Sequence, residues 1–174
     1  MKRLLLLVAL VALTAGPAMA DRSMTGCTVD LIAPTSANPG ETVTFVFYAC
    51  NHSPDNEWTS NVIFTFPECF EVLGGYYDDG GIGALFNFVN DPIWTAAFMD
   101  GDGSWGEIYQ DYCCTFYVEV LITAACECGP VTIGWTQEGD VFGAEPHTIS
   151  GELPFVLCGT PVQDSTWSCV KSLY

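Results

Sequence analysis

An Asp- and Gly-rich segment carries the side chains best suited to chemistry. Residues 100–107 read Asp-Gly-Asp-Gly-Ser-Trp-Gly-Glu, so Asp100, Asp102 and Ser104 place oxygen atoms at alternate positions, with Glu107 following. Hard cations such as Ca²⁺ take oxygen ligands of this kind. The spacing is not that of an EF-hand, because a tryptophan stands where that loop requires glycine. The segment therefore predicts either a calcium site at these four residues or an ordinary Asp-Gly turn between two strands.

Groups suited to catalysis are scarce. The chain has two histidines, His52 and His147, and it lacks a Gly-x-Ser-x-Gly elbow and a metalloprotease helix motif. Carboxylate pairs suit glycosidases, but 21 acidic residues make some pairing a matter of chance. Cys126-Glu127-Cys128 has the form of a metal or redox pair, although an exported chain favours a disulfide for each sulfur. We expect no enzymatic activity, no catalytic residues and no cofactor other than calcium.

Aromatic residues suggest a second kind of site, a stacking platform for sugar rings. The candidates are Trp58, Trp94, Trp105, Tyr76 and Tyr77. Packing in a core or on a sheet is the commoner use of such side chains. Both interpretations remain open at the level of the sequence.

The first twenty residues have the features of a cleaved signal peptide. Lys2 and Arg3 precede an apolar run, Leu4 to Leu13, and Ala18-Met19-Ala20 offers small residues at the cleavage positions. The run is too short to span a bilayer comfortably, and no second long apolar segment follows it. We expect cleavage after residue 20 and export to the periplasm, the cell surface or the medium, without membrane insertion afterwards.

The charge of the chain restricts its partners. The formal net charge is −17 at pH 7, and removal of a signal peptide would leave Arg22 and Lys171 as the only basic residues. Such a surface repels phosphate groups, so we expect no binding to nucleic acid. Divalent cations and basic partners remain compatible, as does a plain role of the charge in solubility.

Nine cysteines in an exported chain imply disulfides. An odd number leaves at least one thiol free or intermolecular, and spacing alone cannot give the connectivity. The disulfide candidates are Cys27, Cys50, Cys69, Cys113, Cys114, Cys126, Cys128 and Cys158, and the ninth cysteine is Cys169.

Alternating apolar residues predict an all-β, disulfide-rich antiparallel sandwich. Its centre is residues 43–73, in which two strands rich in Val, Phe and Tyr flank a polar loop. Asp, Gly, Pro and Asn clusters separate the remaining strands. Eight or nine strands are expected, at Cys27–Ala33, Val43–Cys50, Val62–Phe66, Glu71–Tyr77, Leu85–Val89, Trp94–Met99, Thr115–Thr123 (the longest), Val131–Thr136 and Ile149–Leu157. No segment shows sustained helical periodicity.

Residues 27–158 resemble the conserved-repeat immunoglobulin-like domains of bacterial surface and exported proteins. The resemblance rests on Pro39-Gly40-Glu41, on Asn51 after the second long strand, and on Asn61-Val62 leading to Pro67 and a Phe-x-Val-Leu run at Phe70–Leu73. It implies an immunoglobulin-like sandwich with an adhesive or architectural role and brings no catalytic residues with it.

The segment 159–174 forms a separate tail. Its Thr166-Trp167-Ser168-Cys169-Val170-Lys171-Ser172-Leu173-Tyr174 is similar to the short T-W-x-x-V-K-x-L-Y endings of some exported bacterial proteins. A short helix docked on the sandwich and an attachment signal are both compatible with this pattern.

An immunoglobulin-like arrangement would also bring particular cysteines together. If the strands Val43–Cys50 and Thr115–Thr123 lie in facing sheets and run roughly parallel, their ends meet at one pole. The expected proximities are Cys50 with Cys126 or Cys128, Cys69 with Cys113 or Cys114, and Cys27 with Cys158, with Cys169 left unpaired or intermolecular.

Two classes of function follow from these patterns. The first is a non-catalytic exported immunoglobulin-like module with a structural, adhesive or surface-interaction role, whose partner would be a protein or glycan at the cell surface. The second is a calcium-dependent or carbohydrate-binding β-sandwich. An exposed tryptophan beside the Asp100 loop favours the second, whereas a buried Trp105 with acidic side chains scattered in solvent favours the first.

Overall fold

The computed structural model describes residues 23–54, 56–141 and 146–159. The predicted signal peptide, Cys169 and the tail beyond Gly159 lie outside the described residues. Within the described ranges the chain forms strands and turns only. No helix there is long and apolar enough to cross a membrane.

Ten strands confirm the all-β prediction. They are β1 (Thr28–Ala33), β2 (Ser36–Ala37), β3 (Thr42–Cys50), β4 (Thr59–Thr65), β5 (Phe70–Asp78), β6 (Phe86–Val89), β7 (Thr95–Asp100), β8 (Cys113–Ile122), β9 (Gly129–Gly139) and β10 (Thr148–Leu157). Each predicted strand overlaps one of these, and the two-residue β2 lies where a turn was expected. The longest strand is β9, with 11 residues, rather than β8, with 10.

The strands form two sheets that pack into an immunoglobulin-like sandwich. One sheet has the order β1-β3-β8-β5 and the other the order β2-β10-β9-β4-β7-β6. Neighbouring strands are antiparallel except β2 and β10, which are parallel. The core lies between the sheets because every second side chain of each central strand points inward.

Aromatic side chains fill this core. Phe45 and Phe47 of β3 are fully buried, and Phe47 stacks on Phe64 of β4 with ring centroids 4.0 Å apart. Phe98 of β7 packs against Phe116 of β8 at 4.7 Å. Each contact joins the two sheets, and each buried Phe side chain contributes about 1.5–3 kcal/mol by leaving water. The central unit, residues 43–73, therefore spans both sheets, with β3 in one and β4 in the other.

The expected relation between β3 and β8 is wrong. The two strands are antiparallel neighbours in one sheet, and Cys50 lies directly opposite Cys113. These two residues form a disulfide across 63 residues, with Cα atoms 4.1 Å apart. Cys50 therefore does not meet Cys126 or Cys128, which follow the opposite end of β8.

The other expected pairings are wrong for the same reason. Cys69, just before β5, bonds to Cys126, just after β8, because β5 and β8 are also antiparallel neighbours. Cys158 bonds to Cys128, because β9 begins beside the end of β10. Cys27 lies at the end of the sandwich opposite Cys158 and cannot reach it.

Two of the disulfide candidates are free thiols. Cys27 and Cys114 are both buried and unbonded. Cys114 follows a bonded cysteine in β8, so the alternation of the strand turns its side chain into the core.

Candidate metal centre and interaction surfaces

The predicted site residues lie at one end of the sandwich, which we call the site end. β3, β5 and β7 finish there and β8 starts there, because β3 and β5 are both antiparallel to β8. The Cys50–Cys113 disulfide closes this end. The connections that follow β3, β5 and β7 therefore meet in space although they are far apart in sequence.

Local hydrogen bonds shape the loop that follows β7. Oδ1 of Asp100 accepts the backbone N–H groups of Asp102 and Gly103, at 3.0 and 2.8 Å. Oδ1 of Asp102 accepts the N–H of Ser104 at 2.8 Å. These are the turns that Asp favours through its short acceptor side chain. Asn61 of β4 fixes the start of the loop, since its Oδ1 accepts the N–H of Asp100 at 2.9 Å.

Glu107 is turned inward by a bridge to β4. The N–H groups of Glu107 and Ile108 both donate to the carbonyl of Thr59, at 2.7 and 3.1 Å, and Thr59 donates back to the carbonyl of Ile108 at 2.9 Å. The Glu107 side chain is only 4% exposed as a result. Its Oε2 accepts the backbone N–H of Leu85, while its buried Oε1 has no hydrogen-bond partner.

The structure brings three of the four predicted metal ligands together. Carboxylate oxygens of Asp100, Asp102 and Glu107 all lie within 4.8 Å of one another. Burial raises the pKa of Glu107, the hydrogen bond from Leu85 opposes this, and a carboxyl–carboxyl hydrogen bond with Asp100 and the negative charges of Asp100 and Asp102 raise it further. Ser104, the fourth, lines the polar groove next to Asp100. We call Asp100, Asp102 and Glu107 the acidic cluster.

The supporting contacts were not predicted from the sequence. Leu85 takes part through its backbone, since its N–H binds Glu107 and its carbonyl accepts the N–H of Gly101 at 2.7 Å. Asn51 is fully buried, and its Nδ2 donates to the carbonyls of Glu57 and Ile108, both at 2.8 Å. The only sequence signal for Asn51 was its place at the end of a strand.

The five aromatic candidates do not form one platform. Trp105 is 65% exposed, and with Trp58 it lines a groove of about 430 Å³ next to the acidic cluster. Trp58 in turn packs on Tyr109 at 4.3 Å. Tyr77 belongs to the core instead, and its hydroxyl donates to the carbonyl of Ala84. Trp94 lies next to β7 at the opposite end, and Tyr76 lies on the outer face of the other sheet.

That outer face of the four-stranded sheet is rich in tyrosine. Tyr76 of β5 and Tyr117 of β8 are register partners whose rings stack 4.5 Å apart at an angle of 7°. Tyr76 is 62% exposed, and Tyr48 of the neighbouring β3 is also exposed. Leu73 and Ile32 expose apolar surface on the same sheet. We call Tyr48, Tyr76 and Tyr117 the tyrosine face.

Both histidines lie beside carboxylates, and both free thiols of the described residues are buried. His147 Nδ1 lies 2.8 Å from the carboxylate of the buried Glu57, and His52 lies 3.6 Å from the exposed Asp111. Burial raises the pKa of the Cys27 thiol and raises that of Cys114 to about 12. Neither thiol is a nucleophile at neutral pH, because the thiolate is the reactive form.

Comparison with known proteins supports the fold. No protein-family profile and no curated protein matches the chain. AvmM, which catalyses macrocyclization in alchivemycin A biosynthesis, is 15% identical with a TM-score of 0.51, over 86% of this chain and all of AvmM. A non-cellulosomal cohesin from Archaeoglobus fulgidus is 18% identical with a TM-score of 0.49, over 76% of this chain and 91% of its own.

A third similar structure is an uncharacterized immunoglobulin-like protein from Nocardia farcinica. It is 17% identical with a TM-score of 0.46, over 74% of this chain and 96% of its own. At such identities the likeness shows the fold alone. The resemblance to conserved-repeat domains stays a prediction.

Proposed function

We propose that this chain is an exported, non-catalytic binding module that recognises a basic protein partner through the tyrosine face. The observation that carries the proposal is the stacking of the exposed Tyr76 on the half-buried Tyr117 at an outer sheet surface. Tyrosine supplies a large, rigid contact area at a low cost in side-chain entropy and is enriched at protein interfaces.

Charge complementarity selects a basic partner. The described residues include no Lys and no Arg, whereas Asp30 and Glu119 are exposed on the sheet that bears the tyrosine face. A Lys or Arg side chain of a partner would meet carboxylates and the faces of aromatic rings, both of which attract cations. Three disulfides indicate an oxidising environment outside the cytoplasm, so the partner belongs there too.

The proposal of a non-catalytic role has separate support. Within the described residues, both histidines lie beside carboxylates, and both free thiols are buried with raised pKa values. The tyrosine face is a sheet surface without a cleft that would exclude water from a reaction. Such a face suits association better than chemistry.

A displayed random-peptide library would test the proposal. Peptides selected on the full exported chain should be enriched in Lys and Arg, and their binding should weaken with added salt. Tyr76→Ala and Tyr117→Ala should each weaken binding about tenfold or more, as expected for aromatic hot spots. The matched control is Tyr112→Ala, which removes an exposed tyrosine outside this sheet surface. Peptides without basic residues, or equal losses in all three variants, would refute the assignment.

A carbohydrate ligand is the second candidate, and one observation favours it. Trp105 is exposed beside the acidic cluster and shares a groove with Trp58, with Asn56 and Asp140 at its polar edge. Sugar rings stack on such aromatic walls while polar groups fix their hydroxyls. Screening the chain on a glycan array, with Trp105→Ala beside Tyr76→Ala, separates the two surfaces. Glycan binding that depends on Trp105 alone would support this candidate, and an array without signal would remove it.

A further inference from the structure

Glu107 is a buried carboxylate that the protein satisfies only in part. One oxygen accepts the N–H of Leu85, and the other is buried without a hydrogen-bond partner. Two more carboxylates, from Asp100 and Asp102, lie within 4.8 Å. A buried acceptor left unsatisfied costs free energy, and more so when it is charged. A cation bound between the carboxylates would offset this cost, as would a proton that Glu107 shares with Asp100.

The described part of the chain supplies no such cation. It contains no Lys or Arg, and its two histidines lie beside other carboxylates, His147 beside Glu57 and His52 beside Asp111. The backbone N–H groups of the loop donate hydrogen bonds to Oδ1 of Asp100 and to Oδ1 of Asp102. The Oδ2 atoms of both residues take no part in these bonds, and a cation would replace the contact between the carboxyl groups of Glu107 and Asp100.

We propose that Asp100, Asp102 and Glu107 bind one Ca²⁺ ion at the site end of the sandwich. Calcium–oxygen distances of about 2.3–2.6 Å place opposite ligands about 5 Å apart, which suits oxygens that lie within 4.8 Å of one another. Mg²⁺ prefers about 2.0–2.1 Å and would need the loop to contract. An all-carboxylate set without Cys or His also disfavours Zn²⁺.

Solvent completes the coordination shell. Ca²⁺ takes six to eight oxygen ligands, so three carboxylates leave positions for water. A polar groove lined by Asp100, Ser104 and Asn61 borders the acidic cluster and gives water access to it. The Ser104 hydroxyl is the nearest side-chain candidate for a further contact.

The ion would cross-link two connections of the sandwich. Glu107 holds the N–H of Leu85, which precedes β6, while Asp100 ends β7 and the loop from it leads to Glu107. A shared ion therefore ties the loop after β7 to the start of β6. Trp105 lies between two of the proposed ligands in sequence, so the same ion would set the position of one wall of the aromatic groove.

Calorimetric titration of the full exported chain tests the proposal. After treatment with chelator, CaCl₂ should bind at one saturable site, and MgCl₂ should bind at least about tenfold more weakly. Glu107→Gln keeps an acceptor for Leu85 but removes a charge, and it should weaken Ca²⁺ binding by about tenfold or more. Glu152→Gln removes one exposed charge from β10, in the other sheet, and should leave the affinity unchanged.

Terbium luminescence gives a second readout, which still applies if Glu107→Gln folds poorly. Tb³⁺ binds as Ca²⁺ does, and excitation of the nearby Trp105 should sensitise its emission until Ca²⁺ displaces it. Asp102→Asn changes an exposed ligand and should lower the affinity for both ions, whereas Trp105→Phe should lower the emission only. The proposal is overturned if neither ion binds saturably, or if Glu107→Gln and Asp102→Asn both bind as Glu152→Gln does. The tyrosine face takes no part in this test, so either proposal can fail alone.

Discussion

Asn51 offers the sharpest test of how the site end is built. Its side chain is fully buried, and its Nδ2 donates two hydrogen bonds of 2.8 Å to the carbonyls of Glu57 and Ile108. Its Oδ1 accepts the N–H of Ser53 at 2.9 Å. Asn51→Asp has almost the same shape and keeps the acceptor, but it replaces both donors with a second oxygen. The substitution therefore removes the two donated hydrogen bonds at nearly constant shape, and it also introduces a buried carboxylate.

The expected cost follows from the two carbonyls. A buried acceptor that loses its partner costs about 1–3 kcal/mol. The loss at Ile108 lies at the low end of that range, because its carbonyl keeps the N–H of Thr59. The new carboxylate must also leave water, so we expect a loss of about 3 kcal/mol or more. A protein of this size loses about 2–4 °C in Tm per kcal/mol, which predicts a decrease of about 6–12 °C.

Thermal and urea unfolding of Asn51→Asp beside Asn90→Asp would measure this loss. Asn90 donates one hydrogen bond, to the carbonyl of Val72 at 3.0 Å, from an exposed position. Its substitution should cost about 1 kcal/mol or less. Disulfides must be intact in both proteins, as checked by intact mass. A Tm difference of about 2 °C corresponds to about 1 kcal/mol or less at this size. If the Tm of Asn51→Asp lies within that interval of the Tm of Asn90→Asp, Asn51 does not organise the site end.

Three further predictions concern separate parts of the molecule. Gly151→Ala should lower the free energy of unfolding by about 1–3 kcal/mol through overpacking, because a Cβ there would lie 2.6 Å from the indole ring of its cross-strand partner Trp135. The control is Gly134→Ala, where the nearest atom would lie 3.6 Å from the new Cβ, and it should be near neutral in the same urea titration. Cys27 and Cys114 should resist iodoacetamide in the native protein and react after denaturation, because both thiols are buried with raised pKa values; labelling of either in the native state, read by peptide mass mapping, would contradict this. With calcium removed by chelator, the raised pKa of Glu107 means that the folded state binds the proton of this carboxyl more tightly than the unfolded state does. Glu107 therefore contributes stability that is fully present below its ordinary pKa of 4.5 and is lost as the pH rises through its folded pKa. Stability curves of wild type and Glu107→Gln should diverge over that interval, and parallel curves would count against it.

The fold was readable from the sequence because burial on a strand has a period of two. The alternation of Phe45 and Phe47 with polar or half-exposed neighbours predicts which side chains face the core, and both are fully buried. Sheet membership does not follow from that alternation. The same pattern in β3 and β8 is compatible with facing sheets or with neighbouring strands, and the wrong choice gave wrong partners for Cys50 and Cys69. The Cys50–Cys113 bond, between residues directly opposite in an antiparallel pair, identifies the correct arrangement.

The acidic cluster shows the same division between local and long-range information. Asp100 and Asp102 are positioned by hydrogen bonds between residues no more than three apart, and the residue types and spacing predict these bonds. Glu107 joins them only because a bridge to Thr59, 48 positions earlier, turns its side chain inward, and because the backbone N–H of Leu85, in another loop, donates to its carboxylate. A surface Asp-Gly turn would leave its acidic residue in water at no cost. Burying a carboxylate against two others instead carries a free-energy penalty, which a simple turn between strands would avoid. A bound cation would offset this penalty, and this is the physical basis of the proposed calcium site.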